Sequence, residues 1–104
     1  MPDFGSPFAG AAYGRKLTES ELVRAVRFMV AAEYEAVQLY MQLAESTDNA
    51  LAVSVLRDIA DEERVHAGEF LRQLKQLDPE EETYYAEGAR EVEEQIARLA
   101  AEGA

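Results

Sequence analysis

Two long segments with helical periodicity, joined by four turn-forming residues, constrain this fold more than any other feature of the sequence. Thr18 and Glu21 have the spacing of a capping box, which predicts that a first helix begins there and continues to about Glu45. Residues 46–49 (Ser-Thr-Asp-Asn) favour a turn followed by the start of a second helix, which continues to about Leu77. A connection this short predicts an antiparallel two-helix hairpin.

The remaining segments are a third helix and an N-terminal arm. Asp78 suits a helix cap and Pro79 suits the first position of a helix, so a shorter third helix is expected to follow them. Residues 1–17 contain several Pro and Gly, which predicts an arm that is either loose or strapped onto a neighbouring subunit. We therefore predict an all-α chain, with a helical domain over residues 18–104.

The composition excludes several classes of protein and site. Asp and Glu number 21 against 10 Lys and Arg, a net charge of -11 that phosphates would repel, so no nucleic-acid partner is expected. The chain has no Cys, which excludes a disulfide framework, a thiolate zinc site or an iron–sulfur cluster within it. No signal peptide is evident, and the longest apolar run, residues 28–32, is too short to span a bilayer. We expect no membrane partner and a cytoplasmic or compartment-enclosed location.

Ionisable side chains interrupt the apolar stripe of each long helix. On the first helix, Glu33 lies between Met29 and Val37. On the second helix, Glu63 and His66 form a Glu-x-x-His pair, one turn apart on the same face. Such a pair also arises by chance, and a lone His in an apolar stripe is often a packed residue, so each assignment gains weight only in combination.

The spacing brings these side chains to one level. Glu33 lies fifteen positions before Asp48 and Glu63 fifteen positions after it. With a rise of about 1.5 Å per residue, both carboxylates are about 22 Å from the turn. Two level carboxylates on an apolar face repel each other and are costly to bury, and a divalent cation removes both problems. Carboxylate and imidazole ligands suit iron or manganese, with zinc as a competitor.

One hairpin supplies only half of a two-metal site. A two-fold axis would provide Glu33, Glu63 and His66 twice, giving the four Glu and two His of a carboxylate-bridged di-iron bundle. We therefore predict that dimerisation completes a four-helix bundle and a di-iron site. Tyr40 lies two turns from Glu33 on the same stripe, as a core tyrosine or as a hydrogen-bonding or redox-active neighbour of the metal. The alternative from another class is a metal-free helical assembly module.

A resemblance to a known family is carried by residues 31–40 (AAEYEAVQLY) and residues 61–67 (DEERVHA). These segments resemble the encapsulated ferritins, short members of the ferritin-like superfamily that are related to the rubrerythrins. The similarity covers roughly residues 22–77, the first two helices.

The resemblance implies a ferroxidase that oxidises Fe(II) to Fe(III) with oxygen at a di-iron centre between two subunits. It implies Glu33, Glu63 and His66 as ligands, with Tyr40 beside them. Glu35 corresponds to a family carboxylate that attracts metal at an outer site, where the usual acidic companion is Ala32 in this chain.

The resemblance also implies an assembly and a location. In that family the subunits form a ring of five dimers, a decamer, and iron is stored by a surrounding encapsulin shell. The chain is then expected inside an encapsulin nanocompartment. A rubrerythrin-like peroxide reductase is the other activity that the bundle would serve, and because the chain has no Cys its electrons would have to come from another protein.

Overall fold

A computed structural model describes residues 14–103 and contains three helices there: α1 (Glu19–Glu45), α2 (Ala50–Leu77) and α3 (Glu80–Ala101). Helices α1 and α2 form the predicted hairpin, and α3, at 22 residues, is the shortest. The all-α prediction is confirmed. The predicted N-terminal arm lies outside the described residues as far as residue 13. No helix within residues 14–103 has the length and apolar character needed to cross a membrane.

Helix α1 begins at the predicted capping box. The Thr18 hydroxyl accepts from the Glu21 N–H at 3.2 Å, and the Glu21 carboxylate accepts from the Thr18 N–H at 2.8 Å. The Arg15 guanidinium donates to the same carboxylate at 2.9 Å. The Arg15 hydrogen bond, followed by that of the Thr18 backbone, lowers the pKa of Glu21 to about 2. The start of the hairpin is thus fixed by local hydrogen bonds.

The turn between α1 and α2 is closed by side chains of the predicted turn residues. The Asn49 side-chain oxygen accepts from the Ala52 N–H at 3.0 Å and so caps α2. The Ser46 hydroxyl donates to the Gln42 carbonyl at 2.6 Å, at the end of α1. The bend therefore lies where the sequence places it, and the two helices run antiparallel from it.

Fewer side chains are buried in the seam between α1 and α2 than the apolar stripes of the sequence predict. Glu63 and His66 were expected on the apolar stripe of α2, but the structure buries Ala60 and Ala67 and leaves His66 exposed; Leu74, further along the helix, is also buried. Small side chains let two helices approach closely, so the larger side chains lie on the flank of the seam, where they are only partly covered. The buried side chains are Ala25, Val26, Val30, Ala44, Ala60, Ala67 and Leu74.

Helix α3 contacts the hairpin through ion pairs at its first turn. It begins at Glu80, one residue later than predicted. Arg27 of α1 pairs with Asp78 at 3.4 Å and with Glu81. Lys75 of α2 pairs with Glu82 at 3.0 Å. None of its residues is buried, and the described part of the chain measures 58 × 44 × 23 Å. The hairpin alone therefore holds the core.

Candidate metal centre

Side chains from α1 and α2 meet on one flank of the seam. Glu33 extends from α1, and Glu63 and His66 extend from α2. His66 Nδ1 lies 3.4 Å from Glu63 Oε2 and 3.8 Å from Glu33 Oε2. One ligand atom from each of the three residues lies within 4.8 Å of the others. The predicted level placement of the two carboxylates is therefore present within a single chain.

The two carboxylates are largely shielded from solvent, whereas the imidazole is open. The Glu33 and Glu63 side chains are 18% and 19% exposed, and the His66 side chain is 48% exposed. Glu33 Oε2 is buried and makes no hydrogen bond to any described residue. Leaving a buried acceptor unsatisfied costs about 1–3 kcal/mol, and more for a charged group. Residues 14–103 supply this oxygen with no hydrogen-bond donor, and a bound cation would compensate for that loss.

The donor set fits a first-row transition metal. Ligand atoms that each lie about 2.1 Å from one ion are about 3 Å apart, so small side-chain movements would bring these three around a cation. Two carboxylates and one imidazole suit iron and manganese, and zinc competes for the same ligands. Imidazole binds metal through a nitrogen that carries no proton, and His66 directs Nδ1 towards both carboxylates.

Three ligands leave a metal ion with open coordination positions. The exposed edge of His66 and the partly covered side chains beside it lie on the outer surface of the hairpin. A groove of about 480 Å³ opens there, lined by Glu33, His66, Glu69, Phe70 and Gln73. The cluster is therefore accessible from the direction in which further ligands, solvent or a second protein surface would arrive.

Two residues predicted for the site lie outside the cluster. Tyr40 is on the same face of α1 as Glu33, but two turns away, about 10 Å along the helix axis. Glu35 follows Glu33 by two residues, so it projects about 200° around the helix from it. Neither contributes a ligand atom to the three-residue group. Their roles remain predictions.

Sequence reasoning missed two polar side chains beside the cluster. Glu69 is exposed and lines the groove next to His66. Gln73 was not singled out at all. The signal was available, because Glu69 and Gln73 follow His66 by three and seven residues, the spacings that share one helix face.

Comparison with known proteins shows which family the sequence and fold resemble. The rubrerythrin family model matches residues 25–102. A crystal structure of an encapsulated ferritin domain from Pyrococcus furiosus superposes with a TM-score of 0.76 at 36% sequence identity, covering 83% of this chain and 89% of that one.

Two relatives are longer than this chain. The encapsulin nanocompartment cargo protein EncC of Myxococcus xanthus is 40% identical over 73 residues, 70% of this chain and 56% of that protein. The ferritin-like–encapsulin shell fusion protein of Pyrococcus furiosus is 39% identical over 77 residues, 74% of this chain and 22% of that protein. The chain thus matches only part of the length of each.

Proposed function

Because the chain belongs to the rubrerythrin family and shares the fold of an encapsulated ferritin domain, we propose that it is a ferroxidase. Two copies join through the exposed flank of the hairpin and hold a di-iron site between them. Fe(II) enters as the substrate, and two Fe(II) ions together give two electrons to one dioxygen molecule. The dioxygen takes up two protons and leaves as hydrogen peroxide, and the iron leaves as two Fe(III) ions. The observation that carries this proposal is the Glu33–Glu63–His66 cluster, in which Glu33 Oε2 is buried and accepts no hydrogen bond from the described residues.

The second copy is required by ligand number and charge. Each chain offers two carboxylates and one imidazole, so a pair of chains offers four carboxylates and two imidazoles, the set of a di-iron bundle. Four carboxylate charges balance two Fe(II) ions. The same contact would cover the open edge of His66 and the apolar side chains beside it, which a single hairpin leaves exposed to water.

The three side chains take different parts in handling iron. Glu33 and Glu63, held on different helices, attract the cation and fix its position across the seam. His66 donates a neutral nitrogen and thereby distinguishes transition metals from Ca²⁺ and Mg²⁺, which prefer oxygen ligands. Bound iron supplies the redox chemistry. We assign Tyr40 to the vicinity of the site, and Glu35 to metal attraction at an outer position.

The relatives suggest the setting in which the enzyme works. One matched relative is named as an encapsulin cargo protein and another as a fusion with an encapsulin shell. We therefore place this chain inside an encapsulin nanocompartment in the cytoplasm, where Fe(III) leaving the site would be stored. The family resemblance further suggests that five dimers assemble into a decamer.

The test measures the rate at which the full chain oxidises Fe(II) in air, monitored by the absorbance of Fe(III). Glu63→Ala and His66→Ala are expected to reduce the rate to that of buffer. Glu62→Ala is the matched control, since Glu62 is exposed and is not part of the cluster. Unchanged rates in the two site variants would overturn the assignment. Peroxide consumption with a separate electron-donor protein, far exceeding Fe(II) oxidation, would replace it with a peroxide reductase.

A further inference from the structure

The groove beside the metal cluster contains a carboxylate that the proposed site does not use. Glu69 lines this groove together with His66, and its side chain is exposed. Among the described residues Glu69 makes no hydrogen bond and no ion pair. Arg72, three residues further along α2, donates to Gln76 at 3.3 Å instead. No donor within residues 14–103 therefore occupies the Glu69 carboxylate.

The two ring nitrogens of His66 have different surroundings. Nδ1 lies 3.4 Å from Glu63 Oε2 and 3.8 Å from Glu33 Oε2. Nε2 makes no hydrogen bond to any described residue, and the side chain is 48% exposed. An uncharged imidazole that binds a metal through Nδ1 carries its one proton on Nε2. Metal-binding His residues almost always donate that N–H to a carboxylate, a backbone carbonyl or water.

The groove limits which side chains can accept this hydrogen bond. Its lining residues are Glu33, His66, Glu69, Phe70 and Gln73. Glu33 is a proposed metal ligand, and Phe70 has no acceptor atom. Of the two acceptors that are left, Glu69 follows His66 by three residues and Gln73 follows it by seven. A carboxylate also makes a stronger hydrogen bond than a neutral amide, so Glu69 is the better acceptor.

Helix geometry directs the Glu69 side chain towards His66. Side chains in an α-helix lean towards its N-terminus, so each residue covers the turn that precedes its own Cα. His66 lies one turn before Glu69, just as Glu63 lies one turn before His66. The imidazole is therefore flanked by one carboxylate on each side along α2, with Glu63 beside Nδ1 and Glu69 on the side of the groove.

We propose that Glu69 is a positioning residue for His66. Its carboxylate accepts the Nε2–H of the imidazole when Nδ1 binds a metal ion, which fixes the orientation of the ring and keeps the proton away from Nδ1. Gln73, four residues after Glu69, is placed to donate from its amide to the same carboxylate. The inference rests on the proposed function for the metal ligands, but not for the redox reaction.

The test measures Zn²⁺ binding to the full chain by competition with a chromophoric chelator, because Zn²⁺ has no redox chemistry. Glu69→Ala is expected to weaken binding about 10–100-fold, the usual cost of removing an outer hydrogen-bond partner of a metal ligand. Glu69→Gln keeps an acceptor oxygen and is expected to recover part of that loss. Glu62→Ala, which removes the same charge at an exposed position outside the cluster and the groove, is expected to bind Zn²⁺ like wild type.

Nuclear magnetic resonance observes the proposed hydrogen bond directly, because His66 is the one histidine of the chain. In Zn²⁺-loaded protein labelled with ¹⁵N-histidine, the Nε2–H proton is expected to exchange slowly with water and to resonate downfield. In Glu69→Ala it is expected to exchange faster and to move upfield. Thermal denaturation of the metal-free variants checks the fold, and an unchanged Tm beside a changed proton signal separates positioning from a structural role.

Two results would overturn the role of Glu69. One is Zn²⁺ binding in Glu69→Ala that is no weaker than in Glu62→Ala. The other is an Nε2–H signal that Glu69→Ala leaves unchanged, which would mean that water or the partner copy accepts this proton. His66→Ala separates these results from failure of the site itself. If His66→Ala binds Zn²⁺ as tightly as wild type, the metal site is wrong and this role falls with it.

Discussion

His66 Nδ1 on α2 lies 3.8 Å from Glu33 Oε2 on α1, although the two residues are 33 positions apart in the sequence. The oxygen is buried and accepts no hydrogen bond from residues 14–103, and the imidazole is open on its other side. The pair thus combines a shielded negative charge with an accessible nitrogen donor. In the proposed site, this pair would attract the cation, which would enter from the exposed side of His66.

Removing the charge at Glu33 tests whether this carboxylate destabilises the metal-free fold. Glu33→Gln is expected to stabilise the metal-free protein by about 1 kcal/mol, since it removes the negative charge from a side chain with one buried oxygen that accepts no hydrogen bond from the described residues. For a domain of this size that raises Tm by about 4–8 °C. Glu35→Gln makes the same charge change on the far side of α1 and is expected to leave Tm nearly unchanged. A metal-free Glu33→Gln protein less stable than wild type would contradict this account.

Metal binding is expected to stabilise the fold through the same three residues. A ligand present at about 100 times its Kd stabilises by about 2.7 kcal/mol. Thermal denaturation with Zn²⁺, or with Fe(II) under anaerobic conditions, is expected to show a higher Tm that a chelator reverses. His66→Ala is expected to abolish the increase, while the exposed Glu62→Ala retains it. An equal increase in all three proteins would place the metal elsewhere.

The stability of the hairpin depends on the few side chains that are buried between α1 and α2. Leu74 is 2% exposed and packs where α2 meets α1 near the α3 end. Leu74→Ala is expected to lower the free energy of unfolding by about 2–5 kcal/mol, because it leaves a cavity. Leu51→Ala, at a site 74% exposed, is expected to change it by less than about 0.5 kcal/mol. Chemical denaturation measures both, and similar values for the two would show that the seam is not the core.

The hydrogen bonds at the start of α1 predict that the stability of the fold depends on pH. The Arg15 hydrogen bond and the Thr18 backbone lower the pKa of Glu21 to about 2 from its usual 4.5. A carboxylate whose folded pKa is depressed stabilises the fold fully above its unfolded pKa and loses that effect as pH falls through the folded value. Glu21→Gln is therefore expected to lower Tm at pH 7, and the difference from wild type is expected to vanish near pH 2.

A matched control isolates the ion pair from general charge. Glu19→Gln removes the same charge from the same helical turn, and Glu19 has no ion pair among the described residues. The Tm of Glu19→Gln is expected to stay close to that of wild type between pH 7 and pH 2. A Glu21→Gln difference that persists unchanged at pH 2 would mean that the carboxylate charge is not what stabilises the turn.

The parts of this molecule that could be predicted from sequence are those that local rules determine. The capping box at Thr18 and the cap at Asn49 fix where the helices begin. Equal spacing from Asp48 then places Glu33 level with Glu63, as their shared contact with His66 confirms. Counting along two helices from one bend needs no knowledge of tertiary packing.

The parts that could not be predicted depend on packing between elements. Periodicity identifies an apolar face but not its centre, so it placed Glu63 and His66 on the stripe of α2, whereas the structure buries Ala60 and Ala67. The first turn of α3 meets α1 through the pairing of Arg27 with Glu81, residues that are 54 positions apart. No local pattern encodes such a contact.

The symmetric placement of Glu33 and Glu63 about the bend restricts how this chain can change in length. Extra residues in the bend itself, residues 46–49, leave both arms intact. One residue inserted between Glu33 and Ser46 would rotate that carboxylate by about 100° and move it by about 1.5 Å relative to its partner. Insertions and deletions are therefore tolerable in the bend. In the helical segments between the bend and Glu33 or Glu63, they are tolerable only if both helices change by the same number of whole turns.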